Sequence, residues 1–144
     1  MYQDTITVFN FHRASGFWYP SIITGTDLLA AKSSSHATEG ISNADDVDII
    51  VHCTAAKVIA TSDGGKSYIG PKEYEKCGDP GRHITFTPES DFIYNGAWSD
   101  LTPINDDEYD EGLYHALNDE HDGVYMISSA AFYGLLPHFE IGGR

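Results

Sequence analysis

Cations are scarce in this sequence. Eight Lys and Arg stand against 22 Asp and Glu in 144 residues, for a formal net charge of −14. Such a surface repels phosphate, so sequence-specific nucleic-acid recognition is not expected. Cysteine is nearly absent too. Cys53 and Cys77 form no CxxC pattern, and the opening "MYQDTITVFNF" has neither a basic region nor a small-residue cleavage site. With no secretion signal to read, the two thiols are expected to be reduced and intracellular rather than bridged. No apolar run approaches the roughly 20 residues that span a bilayer, so no membrane partner is expected.

Motifs of catalysis and metal binding are missing as well. None of the seven histidines stands in an HxxxH pair, and no serine lies within GxSxG. "SDGGKSY" (62–68) contains GGKS, but Ala60 occupies the first glycine position of a phosphate loop, and a glycine turn is the simpler reading. "NDEHDG" (118–123) clusters oxygens without the alternating ligands and distal glutamate of an EF-hand. His52 and Cys53 are adjacent, and strand neighbours point to opposite faces, which makes a poor dyad. No catalytic residue, metal or cofactor is expected, and the chain is not read as an enzyme.

What is present is strand. Apolar residues make up 41% of the chain, enough for one ordinary core, so residues 1–144 read as a single domain. "TITVFNFH" (5–12) and "FWYPSIITG" (17–25) are rich in β-branched and aromatic residues and are joined by the turn "RASG", which predicts a hairpin. Pro20 cannot donate to a ladder and implies an edge or bulge. "VDIIVHC" (47–53) and Val58 to Thr61 add strands. "PKEYEKC" suits a short helix, with Pro71 in its first turn and Gly78 beyond its end. "ITFTPES" (84–90) and "DFIYNGAW" (91–98) alternate as strands. Between 107 and 118, Tyr109, Leu113, Tyr114 and Leu117 mark a helical face, interrupted by Gly112. The chain closes with residues 124–133 and 136–141 as a hairpin around Gly134. Val124, Met126 and Phe132 are expected on one face, with Ser128 and Ala130 between them. The sum is a mainly β fold. It is a small barrel or sandwich of about six to eight strands, with one short helix in its C-terminal half and a terminal hairpin.

Two segments break the pattern. Residues 28–46 form a long polar loop, expected to project or to be ordered by a partner. "NDDEYDEGLYHALNDEHD" (105–122) concentrates acid, either as a solvated helical face or as a wall that borders DNA without gripping it.

The start "MYQDTITVFNFHRASGFWYPSIITGTDL" and the end "DGVYMISSAAFYGLLPHFEIGGR", together with "GPKEYEKC" and "ITFTPESDFIYNGAW", resemble small structural proteins of tailed-phage and prophage morphogenesis modules. Such proteins are described as minor capsid, head–tail connector or head-closure proteins. The resemblance covers most of the chain in pattern and order. It implies a β-barrel subunit of the virion neck, assembled in the host cytoplasm. Its partners would be copies of itself in a ring, often twelve, a portal or adaptor protein above and a tail-side protein below. DNA would pass through the ring without specific binding. In that setting the polar loop, with Lys32, Ser33, Ser34, Ser35, His36, Thr38 and Glu39, is the candidate interaction segment. A different class remains open: a carbohydrate- or receptor-binding β-module with Trp18, Tyr19 and Trp98 as its platform.

Overall fold

The computed structural model describes residues 3–30 and 46–144. β1 (Asp4–His12) and β2 (Phe17–Ala30) form the expected hairpin, with Gly16 at φ 77° in the turn. β3 (Val47–His52), β7 (Phe92–Asn95), β9 (Val124–Tyr133) and β10 (His138–Gly143) complete a closed barrel in the order β1-β7-β9-β10-β3-β2, with β2 returning to β1. A short strand, β8 (Ile104–Asn105), adds to β2 at Phe17 and Trp18. β4 (Val58–Thr61), β5 (Gly64–Tyr68) and β6 (His83–Ile84) make a separate three-stranded sheet. The helices are α1 (Pro71–Lys76) and α2 (Leu113–Glu120).

β2 is longer than its sequence suggests. It pairs with β1 from Phe17 to Thr26 and with β3 from Asp27 to Ala30, so the front of the predicted 28–46 loop is strand. Gly25, at φ 68°, lies where the β1–β2 register shifts, a backbone conformation that glycine adopts without strain. Pro20 falls between the β8 and β3 pairings, where one edge of β2 has no strand partner among the described residues, in keeping with its missing N–H.

The barrel carries apolar residues on both faces. Ile6, Val8, Ile23, Ile49, Val51, Ile93, Ile127, Phe139 and Ile141 fill the interior, and Ile59, Ile84 and Phe86 from the small sheet and the chain after it join them. Phe9, Phe92 and Val124 point outward, where Trp18, Leu113 and Leu117 cover them. α2 therefore packs on the barrel wall. It starts later than its spacing predicts because Gly112 stands at φ 90° as its N-cap, and Tyr109 falls outside the helix. Asp106 Oδ1 secures that start by accepting from Leu113 N at 2.9 Å and from Trp18 Nε1 at 2.7 Å.

Three further expectations are corrected. The glycines of 64–65 sit in a strand, paired to β4 across the two-residue turn Ser62–Asp63. Of the predicted 84–90 strand only Ile84 is strand, at the end of β6, because Pro88 lacks an N–H and Glu89 turns the chain at φ 64°. On β9 the predicted face does not persist. The β9–β10 register slips by one residue between Ile127 and Ser129, so Tyr125 and Ile127 share the interior with Ala130 and Phe132. A bulge at Ser128 reverses the alternation.

A buried carboxylate holds the irregular 85–91 stretch against β1. Asp91 accepts from Phe11 N at 3.0 Å, Asn10 Nδ2 at 2.9 Å and Thr87 N at 3.0 Å. Asn10 Nδ2 also donates to the Thr85 carbonyl. Burial raises the pKa of Asp91 to about 6, against the opposing pull of those hydrogen bonds. Because the folded pKa lies above the unfolded value, the native state binds the extra proton between about pH 4 and 6. This group therefore stabilises the fold as pH falls through that window, by about 3 kcal/mol at ~1.4 kcal/mol per unit. A carboxyl-carbon NMR titration should place the Asp91 midpoint near 6, and an ordinary aspartate midpoint would contradict this account.

Deletion of residues 136–144 removes β10, which is flanked on both sides by β9 and β3. Loss of Phe139 and Ile141 burial alone is about 3–6 kcal/mol, comparable with a whole domain's stability of roughly 5–15 kcal/mol. The truncated chain should not show a cooperative melt near that of the intact chain. Equal melting temperatures would mean that the hairpin is an appendage.

Candidate functional site

Lys32, Ser33, Ser34, Ser35, His36, Thr38 and Glu39 lie outside the described residues. The described part of the chain presents a different surface. β9 and β10 meet in the turn 134–137, whose tip carries Leu135 and Leu136 at 96% and 78% exposure. Leucines in a tight turn have no core to enter, and a solvated turn favours polar residues there. Tyr133 stacks on His138 at the base of the tip, with ring centroids 5.2 Å apart and planes 10° from parallel.

The tip continues onto the outer face of β9, β10, β3 and β2. Strand alternation places Ser129, Ala131 and Tyr133 beside Glu140 and Gly142, then Asp48 and Ile50, then Leu29. The small residues Ser129, Ala131 and Gly142 leave a depression there of about 440 Å³. Leu29 and Tyr133 at its margin are both exposed. On the β1–β7–β9 side, α2 covers the equivalent wall. The barrel thus offers an apolar projection next to an apolar hollow with an acidic rim.

His138 fixes the tip. Its Nδ1 lies 2.6 Å from the Leu136 carbonyl and its Nε2 2.9 Å from Glu140 Oε2. The hydrogen bond to Leu136 first, and that to Glu140 second, raise its pKa. The doubly protonated ring donates at both nitrogens and ties the turn to β10.

The aromatic platform loses its first member. Trp18 is 6% exposed and packs against Phe92 and Phe11, while Tyr19 and Trp98 are half-buried. Trp98 is engaged by Phe9, Tyr94 and His121. In the acidic 105–122 segment, Asp106 is committed to capping α2, and Asn105 Oδ1 accepts from Asp107 N at 3.0 Å. Asp107, Glu108, Asp110, Asp119 and Glu120 are exposed. Cys53 and Cys77 are free thiols, and burial raises the pKa of each. Among the described residues no group of three or more His, Cys, Asp or Glu is gathered to hold a metal ion. No helix among them is long and apolar enough to cross a membrane.

Leu135 and Leu136 were legible as a signal in "GLLP", where two large apolar residues stand between turn formers. A family model described as "Family of unknown function (DUF6751)" matches residues 1–144, and the chain belongs to that family. No curated protein and no solved structure matches it.

The His138 clasp is testable by its titration. A histidine whose folded pKa is raised contributes stability that is full below its unfolded pKa and lost as pH rises through the folded one. The His138 midpoint should lie above that of an unstructured histidine, and Glu140→Gln should lower it. A midpoint indifferent to Glu140→Gln would remove Glu140 from the clasp.

Proposed function

We propose that the chain is a structural virion protein of a tailed phage or prophage, acting as a head–tail connector or head-closure subunit. The observation that supports this reading best is the exposed Leu135–Leu136 tip, beside a barrel face that no helix among the described residues covers. A chain carrying net charge −14 is soluble without such a surface, and an apolar projection of this kind suits burial in a protein partner. Copies would pack around a symmetric ring, with twelve as the expected number, between a portal or adaptor protein and a tail-side protein. The acidic surface suits a channel through which DNA slides, since a basic lining would retain it. The protein would be found in the virion neck, and in the host cytoplasm before assembly. The same surface would serve a minor capsid protein at another position on the particle.

A glycan- or receptor-binding module is the weaker reading, because Trp18 is committed to the core and Trp98 to the α2 side of the barrel.

Imaging of native particles with the subunit labelled tests the assignment. Density at the neck is the expected result. Label on the shell would favour the minor capsid role, and absence from particles would sink both. Leu135→Asp with Leu136→Asp should leave the melting temperature of the free subunit unchanged and abolish its incorporation into particles. Normal incorporation of that double variant would show that the tip is not an assembly contact.

A further inference from the structure

The hollow of about 440 Å³ on the outer face of β9, β10, β3 and β2 has a chemistry that selects its occupant. Its size falls within the range of ligand pockets. Across the ladder Asp48 stands between Leu29 and Gly142, and Glu140 stands between Ile50 and Ala131. Each carboxylate therefore has apolar neighbours or bare backbone on either side. Asp48 is exposed, and its carboxylate accepts no hydrogen bond and joins no ion pair among the described residues. Glu140 Oε2 accepts from His138 Nε2 at 2.9 Å. Asp27, opposite Ile50, adds a third acid to the same face, which carries no Lys or Arg among the described residues.

Two requirements on the occupant follow. Leu29 and Tyr133 at the margin are 51% and 48% exposed, so apolar groups gain by covering them. The acids favour positive charge beside that apolar surface. A side chain with an apolar stem and a cationic head answers both. Arginine answers them better than lysine, because its planar guanidinium forks onto a carboxylate and is less strongly hydrated. A second copy of this chain does not meet the second requirement. Two faces of the same sign would be brought together, on chains that each carry net charge −14.

We infer that the hollow seats an arginine side chain of a partner protein, its stem on the apolar lining and its guanidinium on Asp48. The inference rests on the reading of this face as an assembly contact, and it supplies the partner's chemistry: a basic residue set among apolar ones.

The test is an NMR titration of the intact chain, at fixed ionic strength, with four tripeptides that place arginine, lysine, norleucine or glutamate between two leucines. Saturable shifts at residues 48–50, 129–133 and 140–142 are expected for the arginine peptide. The lysine peptide should bind less tightly. The norleucine peptide should bind about fivefold more weakly than the arginine peptide, the equivalent of one exposed charge pair, and the glutamate peptide more weakly still. Asp48→Asn should weaken the arginine peptide by about threefold or more and leave the norleucine peptide unchanged. Ala131→Phe fills the hollow from an exposed position and should weaken both peptides alike. Absence of saturable shifts here, equal affinity for the arginine and glutamate peptides, or indifference to Asp48→Asn would overturn the inference. Stronger saturable shifts in the acidic 105–122 segment would also overturn it, by showing attraction to charge alone. Shifts of the hollow residues with protein concentration, in the absence of peptide, would make a second copy the occupant and overturn it too. The titration uses the free subunit, so its outcome is read separately from the particle imaging that tests the virion assignment.

Discussion

The whole fold depends on one strand meeting two partners. β2 begins against β1 and ends against β3, and this handover at Gly25 and Thr26 turns a sheet into a barrel. An open sheet of these strands would leave hydrogen-bonding edges on β1 and β2, which templates aggregation. Closure removes both. It also places every inward residue of six strands around one cluster, so the interior is filled by Ile, Val and Phe without any long helix.

Closure alone does not account for the outward apolar residues. Phe9, Phe92 and Val124 sit on β1, β7 and β9, and a barrel wall facing water would expose them. α2 resolves this, and its attachment is polar. Asp106 receives the indole N–H of Trp18 and the first amide of the helix on a single oxygen, so one carboxylate links β2 to α2. On the opposite wall the outward residues of β9, β10 and β3 include Ser, Ala, Gly and acids, and no helix among the described residues lies over them. Among the described residues the two walls therefore differ, one packed under α2 and the other without such a cover.

The sequence showed much of this, and its failures have physical causes. The strands read at 5–12, 17–25, 47–53, 58–61 and the terminal hairpin follow from β-branched and aromatic runs bounded by turns. The 64–68 strand was hidden because two glycines read as a turn, although its pairing with β4 makes them strand residues. The alternation on β9 was correct up to Ile127 and reversed after it, since a one-residue bulge leaves no mark in composition. Asp91 could not be singled out among 22 acids by type. Its role comes from long-range contacts to Asn10 and Phe11, some 80 positions away. As to the site, "GLLP" carried a readable signal, while the candidate residues of the 28–46 loop fall outside the described residues.

Three of the cations are spent on structure in a similar way. Arg13 pairs with Glu75 at 2.6 Å and Arg144 with Glu89, so each ties a strand end to a distant element. Lys57 lies over the Phe132 ring at 4.6 Å and shields an interior aromatic. Exposed pairs of this kind contribute little individually, on the order of 0–1 kcal/mol. Their value is local, since in a chain of net charge −14 each neutralised carboxylate also relieves repulsion from its neighbours. Lys66 does not fit this pattern, because it is buried and its Nζ donates to a hydroxyl, Ser21 Oγ. Packing gives no reason to keep an ammonium there, as an apolar side chain of similar volume would avoid the desolvation. The hydrogen bond from Lys66 Nζ to Ser21 Oγ ties β5 to β2 across the barrel wall, and losing it would leave a buried hydroxyl without that donor.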